Sequence, residues 1–143
     1  MTDWNAWNKK VTEEFRANNG KVGGQFEGRP IVLITHTGAK SGAKRTTPLI
    51  YMPDGDRMVI IASKGGAPTH PDWYHNLVKN PKVTVEVGTE GFDAYARVAE
   101  GKERDALYAR LAKLFPGFDE LQQKITRKIP VVILERLGGD QAA

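Results

Sequence analysis

The sequence predicts an α+β protein built on a small, predominantly antiparallel β-barrel with helices attached to its periphery, and three observations carry that expectation. Six runs of strand length are rich in β-branched residues. Short turns join several of them, so hairpins predominate over βαβ crossovers. Helical periodicity is confined to the amino-terminal segment and to a few stretches between strands. At 143 residues the chain is expected to form one domain over residues 1–143, with a barrel core over 29–136 and an amphipathic helix over 1–19. A core of that size forms without covalent staples. The absence of cysteine removes disulfides, thiolate chemistry and Cys-ligated metal sites.

Taken in order, residues 2–18 place Trp4, Trp7, Val11 and Phe15 on one helical face, and Asn18-Asn19-Gly20 stops the helix. The loop over 20–30 carries Gly20, Gly23, Gly24 and Gly28, a tether on which three roles for this helix stay open. It pads the barrel, closes over a bound acceptor as a lid, or rests on a membrane surface through its tryptophans. Strands are expected over 31–35, 45–52 and 57–62 as an antiparallel meander, the last two joined by the tight turn Pro53-Asp54-Gly55-Asp56. Residues 70–79 read as a helix with Pro71 in its first turn and Asn80-Pro81 as its stop. Val83, Val85 and Val87 alternate along 82–87, so that strand buries one face, and the Gly88–Gly91 turn leads into a strand over 92–99. Residues 102–115 form an amphipathic helix with Leu107, Leu111 and Leu114 inward; a weaker helix spans 118–128 and a last strand 129–134.

The net charge of +4 is mild, so the position of the cations matters more than their number. Lys40, Lys44 and Arg45 fall in a short Gly/Ser-containing turn between two strands. Such a turn is either a solvated basic loop or an anion cradle in which glycine N–H groups converge and Lys and Arg complete the pocket. Its spacing is not that of a Walker loop, and a strand follows it. A second glycine-bearing corner, Ala62-Ser63-Lys64-Gly65-Gly66-Ala67, also ends a strand, and the two corners are expected to end adjacent strands and face one cleft. Trp73, Tyr74 and Asn76 lie on the helix just after it, where aromatics are more often core than ligand contacts.

Other chemistries find little support. His36, His70 and His75 show no metal-ligand spacing, so no metal is expected. There is no Gly-x-Ser-x-Gly elbow and no His-carboxylate partner for a serine, so any chemistry must come from a cofactor. No apolar run reaches the length of a membrane span and the start lacks a signal-peptide pattern, which makes a cytoplasmic location the expectation, with peripheral contact at the inner face of the membrane left open. A small-molecule electron acceptor is the expected partner, and nucleic acid is not.

Four stretches together resemble the deazaflavin-dependent nitroreductase family: residues 35–49 with Lys40-Ser41-Gly42-x-x-Arg45, then Ala62-Ser63-Lys64-Gly65-Gly66, then Pro71-Asp72-Trp73-Tyr74-His75-Asn76-Leu77, then Asn80-Pro81. The similarity covers roughly residues 29–135. The resemblance implies a split β-barrel of the flavin-binding kind and coenzyme F420 as hydride donor, with FMN as the alternative. By the same resemblance Lys40, Ser41, Gly42 and Arg45 hold the phosphate and acidic tail. Thr47 and Pro48 follow on the next strand, with Thr47 standing where the family has an amide. Ser63, Lys64, Gly65, Gly66, Trp73 and Asn76 line the ring.

Nitroreductase members carry tyrosines after the third helix, where this chain has Phe115, Phe118 and Leu121. The resemblance therefore points to the sister branch, reductase A, that reduces conjugated lactones of the coumarin and aflatoxin type and quinones. No catalytic residue is assigned; Lys64 and Ser63 are candidate electrostatic stabilisers, and Phe118, Leu121, Trp4 and Trp7 are candidates for the substrate wall. The rival reading is a non-catalytic carrier or sensor of a deazaflavin, flavin or haem on the same fold.

Overall fold

The structure is a computed structural model, and it describes residues 4–23, 30–55, 57–62, 70–115, 117–125 and 128–137. These hold seven strands, β1 (Ile31–Thr37), β2 (Lys44–Ile50), β3 (Met52–Asp54), β4 (Arg57–Ile61), β5 (Lys82–Val87), β6 (Glu90–Val98) and β7 (Val131–Arg136). Four helices accompany them, α1 (Trp4–Ala17), α2 (Asp72–Lys79), α3 (Gly101–Leu114) and α4 (Gly117–Lys124). Every strand pairing is antiparallel, in the order β2-β1-β5-β6-β7-β4-β3. The two outermost strands, β2 and β3, are separated only by Tyr51, so a single stretch of chain borders both edges and the sheet curls into a split barrel.

That geometry corrects the expected strand over 45–52. It breaks at Tyr51, where its partner changes from β1 to β4: Ile31 faces Ile50, whereas Met52 faces Val59. The expected meander is therefore two hairpins joined through Tyr51, and the six expected strands become seven. The last strand begins at Val131 rather than residue 129, because Pro130 has no N–H for the ladder. Helix α2 begins at Asp72, with Pro71 just outside it as the N-cap. Leu114, expected inward, is 58% exposed: the buried stripe of α3 is Arg104, Leu107, Tyr108 and Leu111, and Leu114 is the helix's last residue. Helix α4 ends at Lys124, four residues earlier than expected.

Strand burial follows sequence pattern closely. The unbroken apolar runs of β1, β4 and β7 are covered on both faces. Val32, Ile34, Met58, Ile60, Val132 and Leu134 point into the barrel, where they meet Val83, Val85, Ala94 and Ala96. Val59, Ile61, Val131 and Ile133 point outward beneath Leu107, Tyr108 and Leu111 of α3. Ile31 and Leu33 point outward beneath Val11 and Phe15 of α1. Along the alternating strands β5 and β6 the outer residues Lys82, Thr84, Asp93 and Tyr95 are exposed.

The carboxyl-terminal half of α1 is fastened to the barrel. Phe15 is buried, and Arg16 makes a bidentate pair with Glu86 at 3.1 and 2.7 Å. Gly20, at φ +94°, lies so close to the β5–β6 turn that a Cβ there would stand 2.5 Å from the Cα of Gly88. Gly20 is thus a contact point rather than part of a loose tether, and the described half of α1 pads the outer face of β1 and β2. Gly24 and Gly28 fall outside the described residues. Among the described residues no helix is long and apolar enough to cross a membrane.

Candidate functional site at one end of the barrel

Antiparallel pairing sends the carboxyl ends of β1, β4 and β6 and the amino ends of β2, β5 and β7 to the same end of the barrel. The 38–43 corner follows β1 at that end, and β4 ends there at Ile61; the corner beyond Ala62 lies outside the described residues. Contrary to expectation, β1 and β4 are not adjacent: β5, β6 and β7 lie between them in the sheet, and on the other side the edge strands β2 and β3 do. Helix α2 lies across this end and inserts Trp73 and Leu77 into the interior cluster.

The 38–43 corner is a closed turn. Gly38 N–H donates to Ala43 O at 2.8 Å, Gly42 N–H to Gly38 O at 3.0 Å, and Ala43 N–H to the Ser41 hydroxyl at 3.1 Å. Ser41 folds back this way because residue 38 is glycine: a Cβ there would stand 2.6 Å from Ser41 Oγ. Ala39 N–H donates to Asn76 Oδ1 of α2 at 2.8 Å. Four of the loop's N–H groups are therefore satisfied inside the protein, which corrects the picture of glycine amides converging on an anion. The charge this corner presents is carried by its side chains, and Gly42 admits the tight turn at φ +74°.

Lys40, Ser41, Lys44 and Arg45 are exposed, and none of the three cations makes an ion pair with a described residue. The contrast with the rest of the surface is sharp: Arg16, Arg57, Arg97, Arg104, Arg110 and Arg136 are all paired, and Arg45 is the one described arginine that is not. Arg45 lies opposite His36 in the β1–β2 register and Lys44 opposite Thr37, so the two cations leave opposite faces of the hairpin and Arg45 shares the inward face with His36.

His36 is buried at 2% exposure and joins three elements. Its Nε2 lies 2.9 Å from Thr47 Oγ1 and its Nδ1 lies 3.0 Å from Asn76 Nδ2. Because Asn76 Oδ1 already accepts from Ala39, Asn76 Nδ2 donates to Nδ1, which assigns the proton to Nε2 and makes Thr47 the acceptor. Burial, helped by the Arg45 charge, lowers the His36 pKa from 6.5 to about 4, so the ring is neutral at physiological pH. The unfolded chain takes up the proton first as pH falls. Stability from this group is therefore complete above about pH 6.5 and lost progressively towards pH 4, by about 3 kcal/mol in all. Urea unfolding at pH 7, 5.5 and 4 is expected to show that decline, and His36→Asn to flatten it.

The remaining expected site residues are placed as follows. Thr47 is half-buried, Pro48 is buried in β2, and Asn76 is 8% exposed with both ends of its amide engaged. Trp73 is a core side chain. Phe118 and Leu121 are half-buried against the cluster beneath α3, away from the corner, with the Phe118 carbonyl accepting the Tyr108 hydroxyl. Trp4 and Trp7 stand in the first turns of α1, and their side chains, like all of Ser63, Lys64, Gly65 and Gly66, lie outside what the structure describes. Sequence reasoning passed over His36 because it tested histidines only as metal ligands. The available signal was a histidine continuing the inward alternation of Val32 and Ile34, directly before a charged corner.

The chain matches the family described as F420H(2)-dependent quinone reductase over residues 7–136. It is 41% identical over 128 residues to an F420H(2)-dependent quinone reductase of Mycobacterium tuberculosis, covering 85% of each protein. It superposes on a solved F420-H2 dependent reductase (FDR-A) with a TM-score of 0.69 at 45% identity, over 75% of this chain and 95% of that one. The haem storage protein HutZ from Vibrio cholerae superposes with a TM-score of 0.60 at 18% identity over 92% of each chain, a likeness of fold alone.

Proposed function

The chain belongs to the F420H(2)-dependent quinone reductase family, and from that premise we propose that it is a deazaflavin-dependent reductase of planar, conjugated, apolar acceptors, quinones and unsaturated lactones of the coumarin and aflatoxin type. The observation that carries this reading is the unpaired Arg45 beside Lys40 and Lys44, at the barrel end that α2 covers. Lys40 on the turn with Lys44 and Arg45 at the start of β2, all without an ion pair among the described residues, suit a ligand with a phosphate and an acidic tail and suit a neutral ligand poorly.

In this proposal Lys40, Ser41, Gly42 and Arg45 hold the anionic part of the coenzyme, with Thr47 and Pro48 beneath them. Ser63, Lys64, Gly65, Gly66, Trp73 and Asn76 border the ring. Bound in its reduced form, the deazaflavin supplies a hydride. Lys64 and neighbouring backbone N–H groups steady negative charge developing on the acceptor's carbonyl oxygen, and solvent delivers the proton. The protein's contribution is placement and electrostatics.

Parallel titration of the purified protein with the deazaflavin, FMN and FAD tests the assignment; the deazaflavin is expected to bind tightest, and preference for FMN would overturn it. Turnover with a quinone and an unsaturated lactone separates a reductase from a carrier, which binds the reduced coenzyme without oxidising it. Arg45→Ala and Lys40→Ala are each expected to weaken coenzyme binding by about 1.5–3 kcal/mol, and added salt to weaken the wild type. An unchanged dissociation constant in both variants, with no salt dependence, returns the corner to a solvated loop. On the acceptor side, Phe118→Tyr keeps the ring and is expected to raise kcat/KM for nitro compounds relative to quinones with little change in coenzyme affinity. A lowered melting temperature with an unchanged acceptor profile would make Phe118 a packing residue only.

A further inference from the structure

We propose that His36 is a positioning residue for the coenzyme-binding corner: its Nδ1 lone pair fixes which way the Asn76 amide faces, and that amide fixes the 38–43 turn. The inference rests on the functional reading above and extends it to a residue that no part of that reading uses.

The two ends of an asparagine amide have nearly the same shape, so an Asn bridging two groups is held one way round only by what those groups donate and accept. Ala39 N–H is an obligate donor and demands Asn76 Oδ1, 2.8 Å away. That leaves Asn76 Nδ2 facing His36 Nδ1 at 3.0 Å, which is satisfied only if Nδ1 is unprotonated. The proton then sits on Nε2 and points at Thr47 Oγ1, 2.9 Å away. The bonds run in one direction from the turn, through α2 and β1, to β2. A reversed amide would set two donors against each other at Ala39, and a proton on Nδ1 would do the same at Asn76.

His36 is 2% exposed and Asn76 8%, so water is poorly placed to substitute for a lost partner. The link joins residues far apart in sequence, Ala39 and Asn76; the other bonds described within 38–43 are local to the hairpin, and the only other tie to α2's end in the described region, from Asn80 Nδ2 to the Thr37 carbonyl at the base, is longer at 3.4 Å. The Ala39–Asn76 bond is therefore what sets the tip, Lys40 and Ser41, relative to α2 and the barrel end. A hairpin without it keeps its own turn and loses its aim.

Two conservative variants separate aim from stability. Asparagine at position 36 presents an acceptor where Nδ1 stood and forfeits the bond to Thr47; glutamine reaches Thr47 and forfeits the acceptor for Asn76. His36→Asn is expected to bind the reduced deazaflavin within about twofold of wild type and His36→Gln about tenfold more weakly, with similar losses in melting temperature. Hydrogen exchange at the Ala39 amide is expected to stay slow in wild type and His36→Asn and to accelerate in His36→Gln, with no coenzyme present. Equal affinities in two folded variants, or equal exchange, overturns the proposal. If neither variant folds, the imidazole nitrogen spectrum of the wild type decides: a proton on Nδ1 at neutral pH overturns it and a proton on Nε2 upholds it. Should the wild type fail to bind the deazaflavin while Ala39 exchange behaves as stated, the functional reading fails and the link from His36 to the turn stands.

Discussion

Replacing Arg104 by Met is expected to destabilise the protein by about 2–4 kcal/mol, the cost of leaving the buried Ile129 carbonyl and Gln122 Oε1 without their donor. Arg104 is 8% exposed. Its Nε and Nη2 donate to the carbonyl of Ile129 at 3.1 and 2.7 Å, Nη2 also donates to Gln122 Oε1 at 2.7 Å, and Nη1 donates to Asp105 at 3.2 Å. The guanidinium lies 4.5 Å from the centre of the Tyr108 ring. Gln122 Oε1 in turn accepts from Ile129 N–H at 2.9 Å, so one side chain ties α3, α4 and the approach to β7 together. Methionine fills much of the volume and satisfies none of these acceptors. Denaturant unfolding should show a lower midpoint at unchanged slope. Arg104→Lys should recover only part of the loss, since an ammonium group cannot reproduce the planar fork. A loss below about 1 kcal/mol in the Met variant would mean that the Ile129 carbonyl finds water instead.

Gly20→Ala is the second large effect, expected to cost about 3 kcal/mol. Two penalties add there. The backbone at φ +94° disfavours any side chain, and the new Cβ would lie 2.5 Å from the Cα and 2.9 Å from the N of Gly88, atoms that cannot rotate aside. Relief requires the end of α1 to lift from the β5–β6 turn, which strains the Arg16–Glu86 pair and unseats Phe15 from beneath it. Gly88→Ala provides the comparison, because Gly88 has φ +60° and open space around its own missing Cβ, so only the conformational penalty of about 1 kcal/mol is expected. Thermal melts of the two variants side by side measure the contact alone.

Much of this architecture was legible in residue patterns, for a physical reason that differs from strand to strand. The valines of 82–87 alternate because one face meets the interior and the other meets water. The unbroken apolar runs of β1, β4 and β7 announce cover on both sides. Pattern does not reveal partner, however, and residues 45–52 read as one strand because a change of neighbour at Tyr51 leaves hydrophobicity untouched. The candidate site divides the same way. Cations clustered on a turn show in sequence, but that Arg45 alone among the described arginines is unpaired depends on where carboxylates lie in space. The engagement of Asn76 with Ala39 and His36 is likewise a tertiary fact, joining residues some forty positions apart.

The position of β7 bears on how the chain reaches this fold. The last strand in sequence lies between β6 and β4, with Ile61 paired to Val131 and Val98 paired to Val132. Until residues 131–136 have left the ribosome, β2-β1-β5-β6 is one sheet and the β3–β4 hairpin has no other partner, so the interior that Met58 and Ile60 share with Val83 and Val85 stays open to water. Barrel closure therefore waits on the long-range pairing of β7 with β4 and β6, a slow kind of step that leaves both strand edges open until it is made.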